Sequence, residues 1–347
     1  MSEKKDIYNY TLNELEVLFK TIGKEKYRSQ QIFRWLYEKC VASFDEMTDI
    51  NNELKNYLKE NFFIGSLSLK KIFTSFDNTK KYLFETNDNH FIESVSIPDK
   101  DRLTLCISSQ IGCAMKCAFC ATGKIKFIRN LLQSEIIEQV IQIKRELKKE
   151  NKNISNVVFM GMGEPFLNFE NVIKVAEILH SEIGFKLANN RITISTSGIV
   201  PKILEFAKYK FKLAISLNSA DDEIRSSIMP INKKYPLSEL KNSIIQYFKR
   251  SNKNPVTFEY LLIEGVNSSD KEIKKLIKFI KTSGINAKVN LINYNSVNNT
   301  KFKKVTTERL FEIYKLLNNN KIRTIIRKSK GEDINAACGQ LAGKYNL

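Results

Sequence analysis

The sequence predicts an α/β protein: a partial (β/α)6 barrel with a small N-terminal helical domain and a β-hairpin extension. Three observations lead there. Residues 10–62 place apolar side chains three and four apart, the helical period. Residues 67–97 alternate apolar and polar side chains between turn signals, as half-buried strands do. From about residue 101 onward, short apolar runs alternate with helical stretches, the pattern of βαβ units around a parallel sheet. The boundaries fall at 1–64 for the helical domain, 65–98 for the β extension and 99–347 for the barrel core.

In the first domain the apolar faces are Leu12, Leu15, Val17 and Leu18, then Ile32, Phe33, Trp35 and Leu36, then Leu54, Tyr57 and Leu58. That spacing makes Trp35 a core residue rather than a platform for a base, and gives Cys40 a small buried place. The extension alternates over 68–73 and 82–85, with turns at Asp77-Asn78 and Asn87-Asp88-Asn89, which reads as a hairpin. Six barrel strands follow at 103–109, 156–161, 191–196, 212–217, 256–263 and 287–293, and a last β-like run at 323–327 precedes a glycine-rich tail.

A chain of 347 residues, 42% of them apolar, can bury a sizeable core. It contains no apolar run of about eighteen residues, which spanning a bilayer would need. The start, Met-Ser-Glu-Lys-Lys-Asp6, lacks an apolar leader, so the reading is a cytoplasmic protein. Six cysteines, three of them in one loop, do not resemble a secreted disulfide framework. The net charge of +18 favours a polyanionic partner, although lysine-rich, asparagine-rich composition also follows from AT-rich coding. Basic clusters at 144–152, 233–234, 301–304 and 321–330 are expected to rim a nucleic-acid cleft.

Cys113, Cys117 and Cys120 form a CxxxCxxC loop directly after the first barrel strand. Three thiolates at this spacing suit a [4Fe-4S] cluster with one iron left open. An open iron can hold the amino and carboxylate groups of S-adenosylmethionine (SAM), whose one-electron cleavage yields a carbon radical. Zinc is the competing occupant and takes a fourth ligand, commonly histidine. The two histidines offer poor candidates: His90 sits in a polar turn and His180 at the end of a helical pattern. In α/β proteins ligands lie at the carboxyl ends of strands, where this chain places Gly161-Met-Gly163-Glu164-Pro165, Ser195-Thr-Ser-Gly198, Ser216-Leu-Asn218 and Asn295.

These residues, together with Phe44-Asp-Glu-Met-Thr48, Cys106-Ile-Ser-Ser-Gln-Ile-Gly-Cys113, Pro230-Ile-Asn-Lys-Lys-Tyr235 and Ala337-Cys-Gly-Gln-Leu-Ala-Gly343, resemble the RlmN family of radical SAM adenine-C2 methyltransferases. The resemblance spans nearly the whole chain. It implies a [4Fe-4S] cluster on Cys113, Cys117 and Cys120, with SAM contacts at Gly163, Glu164, Ser195, Ser216, Leu217, Asn218 and Asn295. It further implies that Cys338 takes a methyl group from one SAM and that the carbon-centred radical formed there adds to adenine. Glu93 would then remove the ring proton, and Cys106 would release the product by forming a disulfide with Cys338. The implied substrates are 23S rRNA and tRNA and the implied reductant a flavodoxin-like protein; a monomer is expected because the sequence shows no zipper or interaction helix.

Asn218 departs from the histidine common at its position in the family, and Asn293 from a frequent proline. A rival is the Cfr-type adenine-C8 methyltransferase, against which stand Met162-Gly-Glu-Pro165 and Ser195-Thr-Ser-Gly198. Another, of a different class, is a non-enzymatic iron–sulfur RNA-binding redox sensor, which would leave Cys106 and Cys338 without purpose.

Overall fold

In the computed structural model, residues 4–251, 254–298 and 300–343 are described. Met1–Glu3, where the start of the chain was read for a leader, lie outside them. Helix α1 (Leu12–Thr21) begins at a capping box of Thr11 and Glu14, α2 (Lys26–Arg34) runs into a wider turn that Cys40 ends at φ 58°, and α3 (Asn52–Asn61) is capped by Asn51. Their apolar faces close on Leu15, Phe19, Ile32, Phe33, Leu36, Leu54 and Leu58, all at most 1% exposed. Cys40 is buried as expected, and Trp35 packs partly buried against the core with its indole N–H donating to Asp49.

The ten-stranded sheet comprises β1 (Leu67–Thr74), β2 (Lys80–Thr86), β3 (Phe91–Asp99), β4 (Arg102–Cys106), β5 (Asn156–Phe159), β6 (Ile192–Thr196), β7 (Lys212–Ser216), β8 (Val256–Leu262), β9 (Ala287–Asn293) and β10 (Arg323–Arg327). Spatial order follows chain order from one edge to the other. From β4 to β10 every neighbouring pair is parallel, and from β1 to β4 every pair is antiparallel. Helices α4 (Gln133–Lys148), α5 (Phe169–His180), α6 (Val200–Phe206), α7 (Asp222–Ile228), α8 (Leu237–Arg250), α9 (Asp270–Lys281) and α10 (Thr307–Asn319) form the crossovers.

Six strand–helix units are present as expected, and the β-like run 323–327 adds a seventh parallel strand, paired with β9 from Lys288↔Arg323 to Ile292↔Arg327. One expectation changes. The extension is a three-stranded meander continuous with the barrel sheet through β3 and β4, not an appended hairpin. Mixed apolar and polar spacing over 91–99 hid the third strand, because both faces of its centre are buried and alternation fades when neither face meets water.

The helical domain and the extension both join the barrel through α4, where the Gln133 side-chain amide donates to the Tyr8 carbonyl at 2.8 Å. Glu138 accepts hydrogen bonds from the Ser66 and Leu67 amides at 2.6 and 2.8 Å. Burial pushes its carboxyl up to about 8, the Ser66 amide opposing and the Asp6 carboxylate adding. A folded-state value above the unfolded one means the neutral acid is the favoured form. Its contribution is therefore complete below about pH 4.3, the ordinary value, and is lost as pH rises through about 8. Wild type should lose stability from pH 5 to 8.5 more steeply than Glu138→Gln in urea unfolding; parallel profiles would contradict this.

Candidate active site

Two adjoining cavities open where the parallel strands end. One is lined by all three loop cysteines together with Glu164, Ser195, Ser216 and Asn218; the other by Cys106, Thr122, Asn295, Lys328 and Lys330. Cys338, Cys120 and Arg327 stand in the wall of both. The predicted loop cysteines, the strand-end residues and the two outlying cysteines thus come together from five strands and the tail.

The cysteine loop is shaped by close backbone approaches. Gly112 has φ 71°, and a Cβ there would meet the Phe127 Cα at 3.1 Å. Gly163 has φ 101°, and a Cβ there would stand 2.5 Å from the Gln110 Cβ. Only glycine takes this left-handed backbone and this contact without strain. The Ala118 amide donates to Ile228 at 2.9 Å, fixing the loop to the end of α7. Burial pushes the Cys113 thiol up to about 12 and raises Cys117 and Cys120 as well. Bare, these thiols are protonated at neutral pH, and metal binding must displace the protons.

The donor set fits an iron–sulfur cluster. Three sulfurs share one cavity wall, while among the described residues no three His, Cys, Asp or Glu side chains converge as they would on a single ion. In a cluster each thiolate takes a different iron, so spread sulfurs are what it needs. His180 closes its own helix end by bonding Leu187 at 2.8 Å, and His90 lies beside Asp88.

Glu164 is 3% exposed and fully engaged: its oxygens accept from the Phe166 and Ser197 amides at 3.0 and 2.7 Å. It braces β5 against β6 as well as facing the cavity. Asn218 has φ 54°, a left-handed backbone that asparagine tolerates better than most residues. Its Oδ1 accepts from the Leu261 amide at 2.9 Å, and its Nδ2 lies 3.3 Å from the Met229 sulfur. Asn293 staples the following loop by accepting from the Tyr294 and Val305 amides, both at 3.0 Å, so its role is cross-bonding rather than the loop stiffness a proline would give.

Three assignments move. The Leu217 side chain is wholly buried and lines neither cavity; its carbonyl accepts from Arg225 at 3.0 Å. Asn295 lines the second cavity, which it shares with Cys120, and its Nδ2 donates to the Cys338 carbonyl at 3.0 Å. Glu93 is 2% exposed and lines neither cavity. Its Oε1 pairs with Lys81 at 3.0 Å, and its Oε2 accepts from the Ala342 and Gly343 amides at 2.7 and 3.0 Å. The solvent-facing alternative is therefore overturned, and in this arrangement Glu93 anchors the tail.

Sequence reasoning missed Arg327 and Glu259. Both line the first cavity and approach each other at 3.6 Å. The signals were present: Arg327 ends a strand, and Glu259 is a carboxylate inside the otherwise apolar run of β8. Of the basic clusters only 321–330 supplies lining residues. Lys144 and Arg145 instead tie the helical domain to α4, through the Glu38 and Cys40 carbonyls at 3.0 and 2.7 Å.

Comparison with known proteins gives one picture. The Radical SAM superfamily model matches residues 107–280, and the model of the ribosomal RNA large subunit methyltransferase N-terminal domain matches residues 5–64. A Geotalea uraniireducens protein named dual-specificity RNA methyltransferase RlmN is 43% identical over 99% of this chain and 98% of its own. A Flavobacterium psychrophilum protein named as a probable enzyme of that kind is 42% identical over 99% of both. The crystal structure of a radical SAM methyltransferase from Sphaerobacter thermophilus superposes with a TM-score of 0.93, at 38% identity over 98% of this chain and 100% of that one.

Proposed function

The chain belongs to the RlmN family of radical SAM RNA methyltransferases, and on that footing we propose that it methylates carbon 2 of adenine in 23S rRNA and tRNA. The observation that carries the reading is the shared cavity wall: Cys338 lies between the cluster cysteines on one side and Cys106 on the other. A redox sensor has no use for that arrangement. Cys113, Cys117 and Cys120 would hold the [4Fe-4S] cluster, which with SAM supplies one-electron cleavage to a carbon radical when bound.

The remaining work falls to the chain. Carbon 2 lies between two ring nitrogens and is too electron-poor to displace a methyl group from SAM, so the carrier is a thiolate, a strong nucleophile. Cys338 has the exposure this needs, and its loop is held by bonds from Asn295 to its carbonyl, from Ala121 to Gly339 at 2.7 Å and from Thr122 to Leu341 at 2.6 Å. The target base leaves its stack to reach the site, at a cost that is smallest in RNA loops. Lys328 and Lys330 line the same cavity as Cys106, where they favour a phosphate backbone. Glu93 acts as proton acceptor only once the Ala342 and Gly343 amides release it, so base function requires the tail to shift.

The test is mass spectrometry of the Cys338 peptide from protein isolated with its cluster. A fraction carrying one added methyl group is expected, and a peptide never methylated in the presence of cluster and SAM would end this mechanism. Nucleoside analysis of RNA from a deletion strain separates the Cfr-type reading: 2-methyladenosine should disappear, whereas loss of 8-methyladenosine instead would reverse the choice.

A further inference from the structure

The inner face of the barrel carries charge where a closed barrel holds branched apolar side chains. Ser195, Ser216, Ile292 and Arg327 line the cavity of the cluster cysteines, so β6, β7, β9 and β10 turn those positions inward. Side chains on a strand return to one face every second residue. Four positions earlier in each case stand Arg191, Lys212, Lys288 and Arg323. These cations form one layer at the amino ends of the strands, the end away from the catalytic mouth. Lys288 lies directly across from Arg323, and Lys212 is level with Thr193, two residues past Arg191. The layer meets water: Arg191, Lys212 and Arg323 are exposed, and Ile325, next above Arg323 on the inner face, is 42% exposed.

None of the four has an ion-pair partner among the described residues, and the Arg191 guanidinium donates only to the Asn156 Oδ1, at 3.4 Å. Like charges on adjacent strands repel. Burial lowers the Lys212 and Lys288 pKa values, and adjacent cations lower them further: Lys288 and Arg191 act on Lys212, and Arg323 and Arg327 act on Lys288 against an opposing Glu259. The sign of the layer is secure. Residues 183–204, 206–220, 240–258, 273–307 and 313–331, which lead into and form most of β6–β10, contain no Asp or Glu. Glu259 is the only carboxylate in those five strands, and it is engaged by the Asn290 amide at 2.8 Å and by Arg327 at 3.6 Å. The loops at this end add Asp101 and Glu182, outnumbered by Lys210, Lys281 and Lys321.

A mouth lined by one sign of charge concentrates counter-ions. Neighbouring strands lie about 4.8 Å apart, so the cations of β7, β9 and β10 spread over roughly 14 Å. That reach exceeds a single phosphate and suits several linked ones. An arginine offers phosphate oxygens a planar fork, and lysines add point charges. Side chains turned into a barrel suit a small ligand, whereas an RNA backbone is better served by lysines that point outward. We propose that the amino-end mouth of the barrel is a binding site for a small polyphosphate anion, held by Lys212, Lys288 and Arg323 with Arg191 at its edge. The bound anion offsets the repulsion within the layer and stabilises the fold by mass action.

The experiment titrates the full chain with tripolyphosphate by calorimetry at fixed ionic strength. Wild type should bind it saturably, and Lys212→Gln combined with Lys288→Gln should weaken the affinity at least tenfold. Lys271→Gln combined with Lys315→Gln, the same change of charge on the outer helices α9 and α10, should leave it unchanged. Tripolyphosphate should also raise the thermal midpoint of wild type but not of the Lys212 and Lys288 variant. Arg323→Gln alone repeats the test if that double variant does not fold. Absence of saturable binding to wild type overturns the proposal. So does equal weakening in both lysine pairs, which reports bulk charge. Loss of RNA-hairpin binding in the Lys212 and Lys288 variant, with tripolyphosphate binding intact, likewise overturns it and assigns the mouth to RNA.

Discussion

Replacing Cys106 with alanine is expected to stop turnover and leave RNA covalently attached to Cys338. Cys106 is the last residue of β4, 8% exposed, and it lines the same cavity as Cys338. Removing one buried sulfur at a strand end costs on the order of 1 kcal/mol, so the fold should survive. Product release should not, because no other described cysteine outside the cluster loop lines either cavity. Burial pushes the Cys106 thiol up to about 12, with Cys338 adding and Arg327 opposing. The attacking species in thiol–disulfide exchange is the thiolate. Below that value its fraction grows about tenfold per pH unit, so the wild-type release step should accelerate from pH 7 to 9 until another step limits. Nuclease digestion followed by intact mass of the Cys106→Ala protein should show a nucleotide remnant on the Cys338 peptide. A clean peptide with methylated RNA in solution would remove Cys106 from the release step.

How much of this was legible in the sequence depends on what kind of signal each residue carried. The cysteine loop was readable because a cluster demands thiolates at a recognisable spacing, whereas Cys106 and Cys338 entered only through the family resemblance. Strand ends were readable because βαβ alternation fixes where they fall, which is why Gly163, Glu164, Ser195, Ser216 and Asn218 share one cavity wall. The direction of the Leu217 side chain was not readable, because a contiguous motif says nothing of which side chain faces inward; a strand end alternates faces, and Leu217 took the core side. The anchoring of Glu93 was illegible for a different reason. Its partners Lys81, Ala342 and Gly343 lie at very different separations along the chain, and no local pattern encodes a contact spanning about two hundred and fifty residues.

The antiparallel meander acquires a purpose from those long-range bonds. Its first turn receives the tail: Ser75 donates to Asp333 at 2.5 Å and Asp77 accepts from the Gly331 amide at 3.1 Å. Lys81 and Glu93 then hold residues 335–343 from beneath. The loop bearing Cys338 is thus placed by the meander as well as by the barrel. That explains why β1–β3 continue the sheet instead of standing apart from it.

Arg225→Met should be the most damaging single change to the cavity wall that carries Ser195 and Ser216. Arg225 is 1% exposed, and its guanidinium donates to the Leu217, Ser197 and Ser216 carbonyls at 3.0, 2.7 and 3.2 Å and to Asn232 at 2.8 Å. No carboxylate lies among those partners. Desolvation lowers its pKa to about 10, which still leaves it a cation at neutral pH. Burying such a charge is costly, and methionine would relieve that cost. It would also strand carbonyls at the ends of β6 and β7, each worth about 1–3 kcal/mol when left without a donor. With three carbonyls against one relieved cation, loss should win by several kcal/mol, since a planar fork serves several acceptors at once. Arg225→Lys should fall between, keeping the charge while losing the fork. The thermal midpoint should rank wild type, Lys, Met, and SAM affinity of the reconstituted enzyme should drop at least tenfold in the Met variant as Ser195 and Ser216 lose their registration. A Met variant with wild-type melting and SAM binding would show that the guanidinium is dispensable and that the strand ends are held by the parallel ladders alone.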